Sequence, residues 1–185
     1  REFGVDLVLT TPSVAYQVKQ KDGTTLEIDS PAKLPPVQTI AEILEPYVEA
    51  VILGPATSLG TLMELVKQRR GTHRSTDFLG ETRVQLLVEL PLSEILVEFY
   101  DRLKSLTRGY GSFDYELLGY RVGQLVRLDI LINGKACEPL SSIVAKAKAY
   151  EKGKELVERL KELIPRQLFE VAIQAAVGSH IIARD

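Results

Sequence analysis

The chain has 185 residues, a formal net charge of −2, 45% hydrophobic residues and 26% charged residues. That balance excludes wholesale disorder, and no apolar run approaches the ~20 residues a membrane-spanning helix needs. The single cysteine, Cys137, excludes an internal disulfide and reads as a small core-facing thiol.

Charge is unevenly spread. Residues 1–44 carry 4 basic and 6 acidic groups, 45–120 carry 8 and 11, and 121–185 carry 11 and 8. The last third, at +3, therefore points towards an anionic partner. No secretory signal pattern opens the chain, and a start at Arg1 rather than methionine reads as a piece of a longer protein.

In chain order, Val14, Tyr16 and Val18 alternate with polar neighbours, Asp22-Gly23 supplies a tight turn, and Leu26 and Ile28 continue the apolar face. This predicts a hairpin over 13–28. The prolines of Ser30–Pro36 force an extended connection. Thr39 with Glu42 resembles a capping box, predicting a helix that Pro46 limits to about two turns.

Tyr47–Leu53 predicts a mostly buried strand, and Leu59, Leu62, Met63 and Val66 form a helical stripe ended by Gly71. Residues 72–79 predict a weaker strand, and Val84, Leu86, Val88 and Leu90 a half-buried one. Leu96, Phe99, Tyr100, Leu103 and Leu106 then predict a helix, with Ser93 as its cap, Leu92 and Val97 as a hydrophobic staple and Gly109 as its stop. A period-two segment, Tyr110–Leu117, follows. The order β-α-β-β-α-β over 45–120 is that of a ferredoxin-like split βαβ sandwich, within an α+β protein.

Beyond it, Val126, Leu128, Ile130 and Ile132 predict a strand, and Asn133-Gly134 a type I′ turn. Residues 143–154 carry four lysines against one acid, and the nine residues from Lys146 to Lys154 read as a loop-like stretch. Leu156, Val157, Leu160, Leu163 and Ile164 predict a helix ended by Pro165, and Phe169, Val171 and Ile173 a strand. For that last segment Ala175-Ala176 leaves a helix open.

Motifs for bond chemistry are missing. There is no GxxxxGK[ST], and neither His73 nor His180 has a partner at metal-ligand spacing. Ser179, His180 and Asp185 make no triad, because neighbours on one strand face opposite ways. The reading is therefore no catalytic residue, no metal and no cofactor site within these residues. Basic clusters remain. Arg69 and Arg70, and Arg108, end predicted helices, where the dipole favours cations worth ~0.3–1 kcal/mol. Arg74, Lys146, Lys148, Lys152 and Lys154 exceed what capping needs and are candidate phosphate contacts. Tyr110, Phe113 and Tyr115 suit either core packing or base stacking.

Several motifs carry a family resemblance: REFGVDL at 1–7, DSPAKLPP at 29–36, EPYVEA at 45–50, DRLKSLTRGYGSFDYE at 101–116, DILINGKA at 129–136 and LIPRQLFEVAIQAAVGSHIIAR at 163–184. Over essentially all positions the chain resembles the C-terminal part of the LepA (elongation factor 4) family of bacterial translational GTPases. The first four motifs are also similar, more loosely, to elongation factor G.

The resemblance implies a layout. Residues 1–28 would be the tail of domain III, 29–44 a Pro-rich linker and 45–120 a domain V-like ferredoxin-like sandwich. Residues 121–185 would be a LepA-specific C-terminal α+β domain, truncated before its basic tail. It further implies a monomer that contacts the ribosome through ribosomal RNA and tRNA, in fidelity, reverse translocation or ribosome maturation. GTP and magnesium would belong to a GTPase domain outside these residues. The RNA-facing candidates it implies are Arg69, Arg70, Arg74, Arg108, Lys146, Lys148, Lys152, Lys154 and Arg166. The chain departs from the family pattern at Ala145-Lys146, where a His-Arg pair is expected. The location implied is cytoplasmic, with peripheral association at the inner face of the bacterial membrane ascribed to the family. A small-molecule regulatory module and a purely structural interaction domain are the rival readings, since this fold hosts both.

Overall fold

Tyr16–Gln20 (β1) and Thr25–Ile28 (β2) form the expected hairpin, with Tyr16 opposite Ile28 and Val18 opposite Leu26. Gly23 takes φ 90° in its turn, and the Asp22 carboxylate accepts a hydrogen bond from the Thr24 N–H at 2.9 Å. This computed structural model describes residues 14–164 and 171–184. The REFGVDL motif, Arg166, Phe169 and Asp185 therefore lie outside the described residues.

The described chain divides into two compact units. One is built on Glu45–Arg121, the other on Ala15–Leu44 with residues from Val122 onward. The hairpin and the Pro-rich connection thus belong to the same unit as the C-terminal residues.

A strand, Ile40–Pro55 (β3), passes through that division. The short helix expected from Thr39 is absent: one 3₁₀ turn, Val37–Thr39, leads directly into the strand. Ile40–Leu44 pairs antiparallel with β1, and Ile43 and Leu44 are buried, so long-range pairing overrides the local capping signal. Pro46 falls between the β1 ladder, which ends at Leu44, and the next ladder, which begins at Tyr47, so its missing N–H breaks neither.

In the first unit, the helix Leu59–Gln68 (α1) and the strands Thr72–Leu79 (β4) and Arg83–Pro91 (β5) follow as predicted. The second helix, Phe99–Leu106 (α2), starts later than expected. Leu92–Glu94 is a 3₁₀ turn, Glu98 sits at φ 59°, and Val97 is exposed, so Ser93 is no cap and Leu92 with Val97 no staple. The reason is burial: Glu94 and Ile95 both turn inward before the helix can begin. Ser112–Gly123 (β6) closes the unit.

β5 pairs with β3, β4 with β5, and β6 with β3, giving the order β6-β3-β5-β4 of a ferredoxin-like sheet. Leu62, Leu65 and Val66 of α1 and Phe99 and Leu103 of α2 share one core with Val48, Ala50, Ile52, Leu86, Val88 and Leu90 of the sheet. Both helices therefore cover the same face.

In the second unit, Leu125–Ile132 (β7) is central. It pairs with Lys135–Ala136 (β8) across the Asn133-Gly134 turn, both of whose residues take positive φ as a type I′ turn requires. Ser142–Ala145 (β9) and Ile173–Val177 (β10) also pair with β7, and His180–Arg184 (β11) pairs with β10. Ala175 and Ala176 are strand residues, which removes the helical alternative. The stretch expected to be loop-like follows β9 directly and is instead a 3₁₀ turn at Lys146–Lys148 and the start of a helix, Ala149–Leu163 (α3). Ala149, Gly153 and Val157 face the sheet at a spacing of one turn. A methyl on Gly153 would meet the Ala175 Cβ at 2.9 Å, so glycine lets the helix lie against β10.

Candidate nucleic-acid interface

Three of the predicted cations, Arg69, Arg70 and Arg74, cluster where α1 gives way to β4. The helix closes with a Schellman motif: the Gly71 N–H reaches the Val66 carbonyl at 2.8 Å and the Arg70 N–H the Lys67 carbonyl at 3.1 Å. The left-handed position of that motif, usually glycine, is held by Arg70 at φ 57°. Gly71 has its own constraint, since a Cβ there would collide with Leu90 and Val66.

The left-handed bend turns the Arg70 guanidinium inward. Nη1 and Nη2 donate to the two Glu45 oxygens, each at 2.8 Å, and Nε donates to Glu94 at 2.7 Å. Glu45 is 1% exposed and Glu94 5%. Burial opposes the guanidinium's charge, yet its hydrogen bonds to both carboxylates outweigh that and raise its pKa further above the ordinary value. Arg70 is thus committed to holding the interior of β3, at Glu45, against the loop before α2. Its donors face protein rather than a ligand.

Arg74 is shared work of another kind. Its Nη2 donates to Glu89 at 2.6 Å, and Arg121 Nη1 donates to the same oxygen at 2.7 Å. Hydrogen bonding by Arg121, then by Arg74, lowers the Glu89 carboxyl to about 2. Arg121 also lies 4.7 Å above the Tyr47 ring. Burial, followed by the nearby Glu45 charge, raises the Tyr47 hydroxyl above its usual value. Arg74 keeps about half of its side chain in solvent.

Arg108 stands apart from these three. The Ser58 hydroxyl, just before α1, donates to the Leu106 carbonyl at the end of α2, whereas Arg70 at the end of α1 reaches Glu94 ahead of α2. The helices are therefore antiparallel, and Arg108 occupies the opposite end of the pair. It too takes a left-handed position, φ 52°, ahead of Gly109 at φ 88°, so the helix stop begins one residue earlier than predicted. Thr107 braces this end: its hydroxyl donates to the Leu103 carbonyl and accepts from the Gly111 N–H, both at 2.7 Å.

Along α2 and the start of β6 lies a row of rings. Phe113 packs edge-on against buried Phe99 at 5.0 Å between centroids, stacks on Tyr115 at 5.9 Å and touches Tyr100 at 6.1 Å. Lys104 Nζ lies 5.2 Å from the centre of the Tyr100 ring. Of the three aromatics singled out from sequence, only Phe113 joins the core; Tyr110 and Tyr115 are exposed. Tyr100, expected on the apolar helix face, is exposed as well.

In the second unit, the lysines do not share one face. Lys146 and Lys148 lie in the 3₁₀ turn, and Lys152 and Lys154 are on α3, not in a loop. Successive residues advance by 100°, so Lys152 flanks one side of the Ala149–Gly153–Val157 stripe and Lys154 the other. Lys154 lies 3.8 Å from Glu158. Within Ala149–Leu163, Lys152, Lys154, Arg159 and Lys161 are balanced by Glu151, Glu155, Glu158 and Glu162.

Ser179 is in the β10–β11 turn rather than on a strand, and its hydroxyl comes within 3.4 Å of His180 Nδ1, on the open surface. This corrects the expectation that the two side chains diverge, and at that distance the contact is weak. Among the described residues, no three His, Cys, Asp or Glu side chains converge to hold a metal ion. None of the described helices is long and apolar enough to cross a membrane. The groove between α1 and α2, lined by Gly60, Glu64 and Arg102, has about 170 Å³. Small-molecule sites usually offer ~300 Å³ or more, a volume that the open hollow lined by Tyr150, Ile181 and Arg184 reaches at about 380 Å³.

Two family descriptions match end to end: "Elongation factor G C-terminus" over residues 42–131 and "GTP-binding protein LepA C-terminus" over residues 132–185. The chain is 52% identical over 184 residues to elongation factor 4 of Halalkalibacterium halodurans, covering all of this chain and 30% of that protein. It is 53% identical over 184 residues to elongation factor 4 of Geobacillus thermodenitrificans, again 30% of that protein. The Campylobacter fetus elongation factor 4 is 51% identical over 185 residues, with 31% of its length covered. The chain thus spans about a third of the length of the curated relatives it matches. With one of its units ferredoxin-like and both family descriptions satisfied in sequence, the chain belongs to the elongation factor 4 (LepA) family and corresponds to its C-terminal part.

Proposed function

We propose that this chain is the ribosome-contacting part of a translational GTPase, positioning the factor on ribosomal RNA and tRNA without bond chemistry of its own. The observation that carries the reading is identity of about half the residues over the whole chain to proteins named elongation factor 4. GTP and its magnesium ion are handled by a separate P-loop domain of such a protein. The cellular role is in translation: fidelity, reverse translocation or ribosome maturation, in the cytoplasm and as a monomer. Residues 45–120 and 121–185 act as its domain V-like and LepA-specific modules, reached from domain III through 29–44.

The contacting groups are cations held on rigid elements, where they add affinity and orientation rather than sequence reading. Arg69 and Arg74 serve one end of the α1–α2 pair, Arg108 the other, and Lys146, Lys148, Lys152 and Lys154 the second unit. Arg70 acts behind them, fixing the α1–β4 junction from which Arg69 and Arg74 project.

Co-sedimentation of the full-length protein with ribosomes over a range of salt concentrations tests this. Reversing the charge of Lys146, Lys148, Lys152 and Lys154 lowers affinity and reduces the log–log salt slope by roughly one for each phosphate no longer neutralised. Unchanged association and slope in that variant would refute the assignment of these lysines. GTP hydrolysis that tracks the purified 185-residue chain would overturn the positioning role itself.

A further inference from the structure

The aromatic row at the α2–β6 edge is not accounted for by core packing. Phe113 alone is anchored, edge-on against Phe99, which is fully buried. Tyr100 and Tyr115 flank it while remaining 51% and 41% exposed, and Tyr110 on the adjoining turn is 80% exposed. The Phe113 and Tyr115 rings are inclined by only 17° with centroids 5.9 Å apart, an offset stack beyond which Leu117, itself exposed, follows on the same side of the strand. Cations accompany it: Lys104 over Tyr100, and Arg108 at the helix end, two residues before Tyr110. The acids of β6, Asp114 and Glu116, alternate with Phe113 and Tyr115 and so project from the other side of the strand.

Flat, exposed π faces beside fixed positive charge match one partner chemistry, an unpaired nucleotide strand. Its bases extend the ring stack, and its phosphates meet the ammonium and guanidinium groups. A protein partner would use the same rings but has no need of flanking cations. We infer that the α2–β6 edge is a stacking platform for unpaired RNA bases, with Lys104 and Arg108 as its phosphate contacts. The inference rests on the ribosome-contacting reading and adds a base-stacking site to the phosphate contacts proposed there. Packing of Phe113 on Phe99 of α2 fixes the planes of Phe113 and the Tyr115 ring stacked on it, so these rings have little side-chain freedom left to surrender on binding.

The test is fluorescence anisotropy of the 185-residue chain with two labelled probes of about twelve units. One is an oligouridylate, the other a ribose-phosphate oligomer of equal length without bases. The oligouridylate binds more tightly. Tyr110→Ala and Tyr115→Ala each weaken it about tenfold, leave the base-free oligomer unchanged, and show unaltered circular dichroism. Tyr115→Phe restores binding and Tyr115→Leu does not, which separates a π face from mere bulk.

Equal binding of both probes, or alanine variants that bind like the parent, overturns the platform. Ribosome co-sedimentation of the full-length protein, run in parallel, separates the two proposals. If it persists while no oligouridylate binds, the platform fails and the positioning role stands. If it too is absent, the positioning role fails. Alanine variants that bind a ribosomal protein more weakly while RNA binding stays intact assign the rings to a protein partner and refute the inference.

Discussion

Replacing Arg70 probes the physics of the first unit most directly, because one guanidinium satisfies two carboxylates that water barely reaches. Glu45 is 1% exposed and Glu94 5%, and three hydrogen bonds of 2.7–2.8 Å join them to Arg70. Arg70→Ala leaves those charges buried without their partner, which costs about 3–5 kcal/mol. Backbone strain works in the opposite direction. At φ 57° a non-glycine residue carries ~1–2 kcal/mol that glycine does not, so Arg70→Gly recovers part of the loss and nets about 1–4 kcal/mol. The assay is urea unfolding followed by circular dichroism, at about pH 7. An Arg70→Ala loss under about 1 kcal/mol, the size of an exposed pair, would refute this account.

Glu89 gives an acid-limb prediction. Its carboxyl is held at about 2 against an ordinary 4.5, so its stabilisation is complete above the ordinary value and drains away as pH falls from there towards 2. Glu89→Gln therefore flattens the decline between those values, removing on the order of 1–2 kcal/mol after solvent screening at its exposed arginine partners, as acid titration of unfolding will measure. Gly153→Ala destabilises by about 1–3 kcal/mol despite a helix-propensity gain of ~1 kcal/mol, because the new methyl meets Ala175 and Ile182; thermal unfolding reads the sign. Gly60→Ala in α1 is the control: nothing lies within 4 Å of the added methyl, and a gain of about 0.5–1 kcal/mol is expected.

Much of the fold was legible because the relevant forces act along the chain. Period-two alternation marked β5 and β7, the Asn133-Gly134 pair marked its turn, and the apolar stripe of α1 gave its face. Errors arose where a distant partner outweighed a local signal. Thr39 with Glu42 matched a capping box, but pairing with β1 drew Ile40–Leu44 into a strand. Ser93 looked like a cap, but burial of Glu94 against Arg70 delayed the helix to Phe99. The lysine-rich stretch lacked an apolar stripe of ordinary side chains because its inward positions are Ala149 and Gly153, residues too small to register as hydrophobic.

The candidate site shows the same limit. Composition revealed that Arg69, Arg70, Arg74 and Arg108 were available, but arginines look alike in a sequence and differ only in what surrounds them. An αL backbone and two buried acids make Arg70 internal, while antiparallel packing of α1 and α2 carries Arg108 to the far end. The order of elements, the family and the stock of cations and rings were written in the residues themselves, because periodicity and motifs are local properties. Which charges are neutralised at home and which rings face solvent was decided only by tertiary packing, since both depend on groups tens of positions away that meet when the sheet closes.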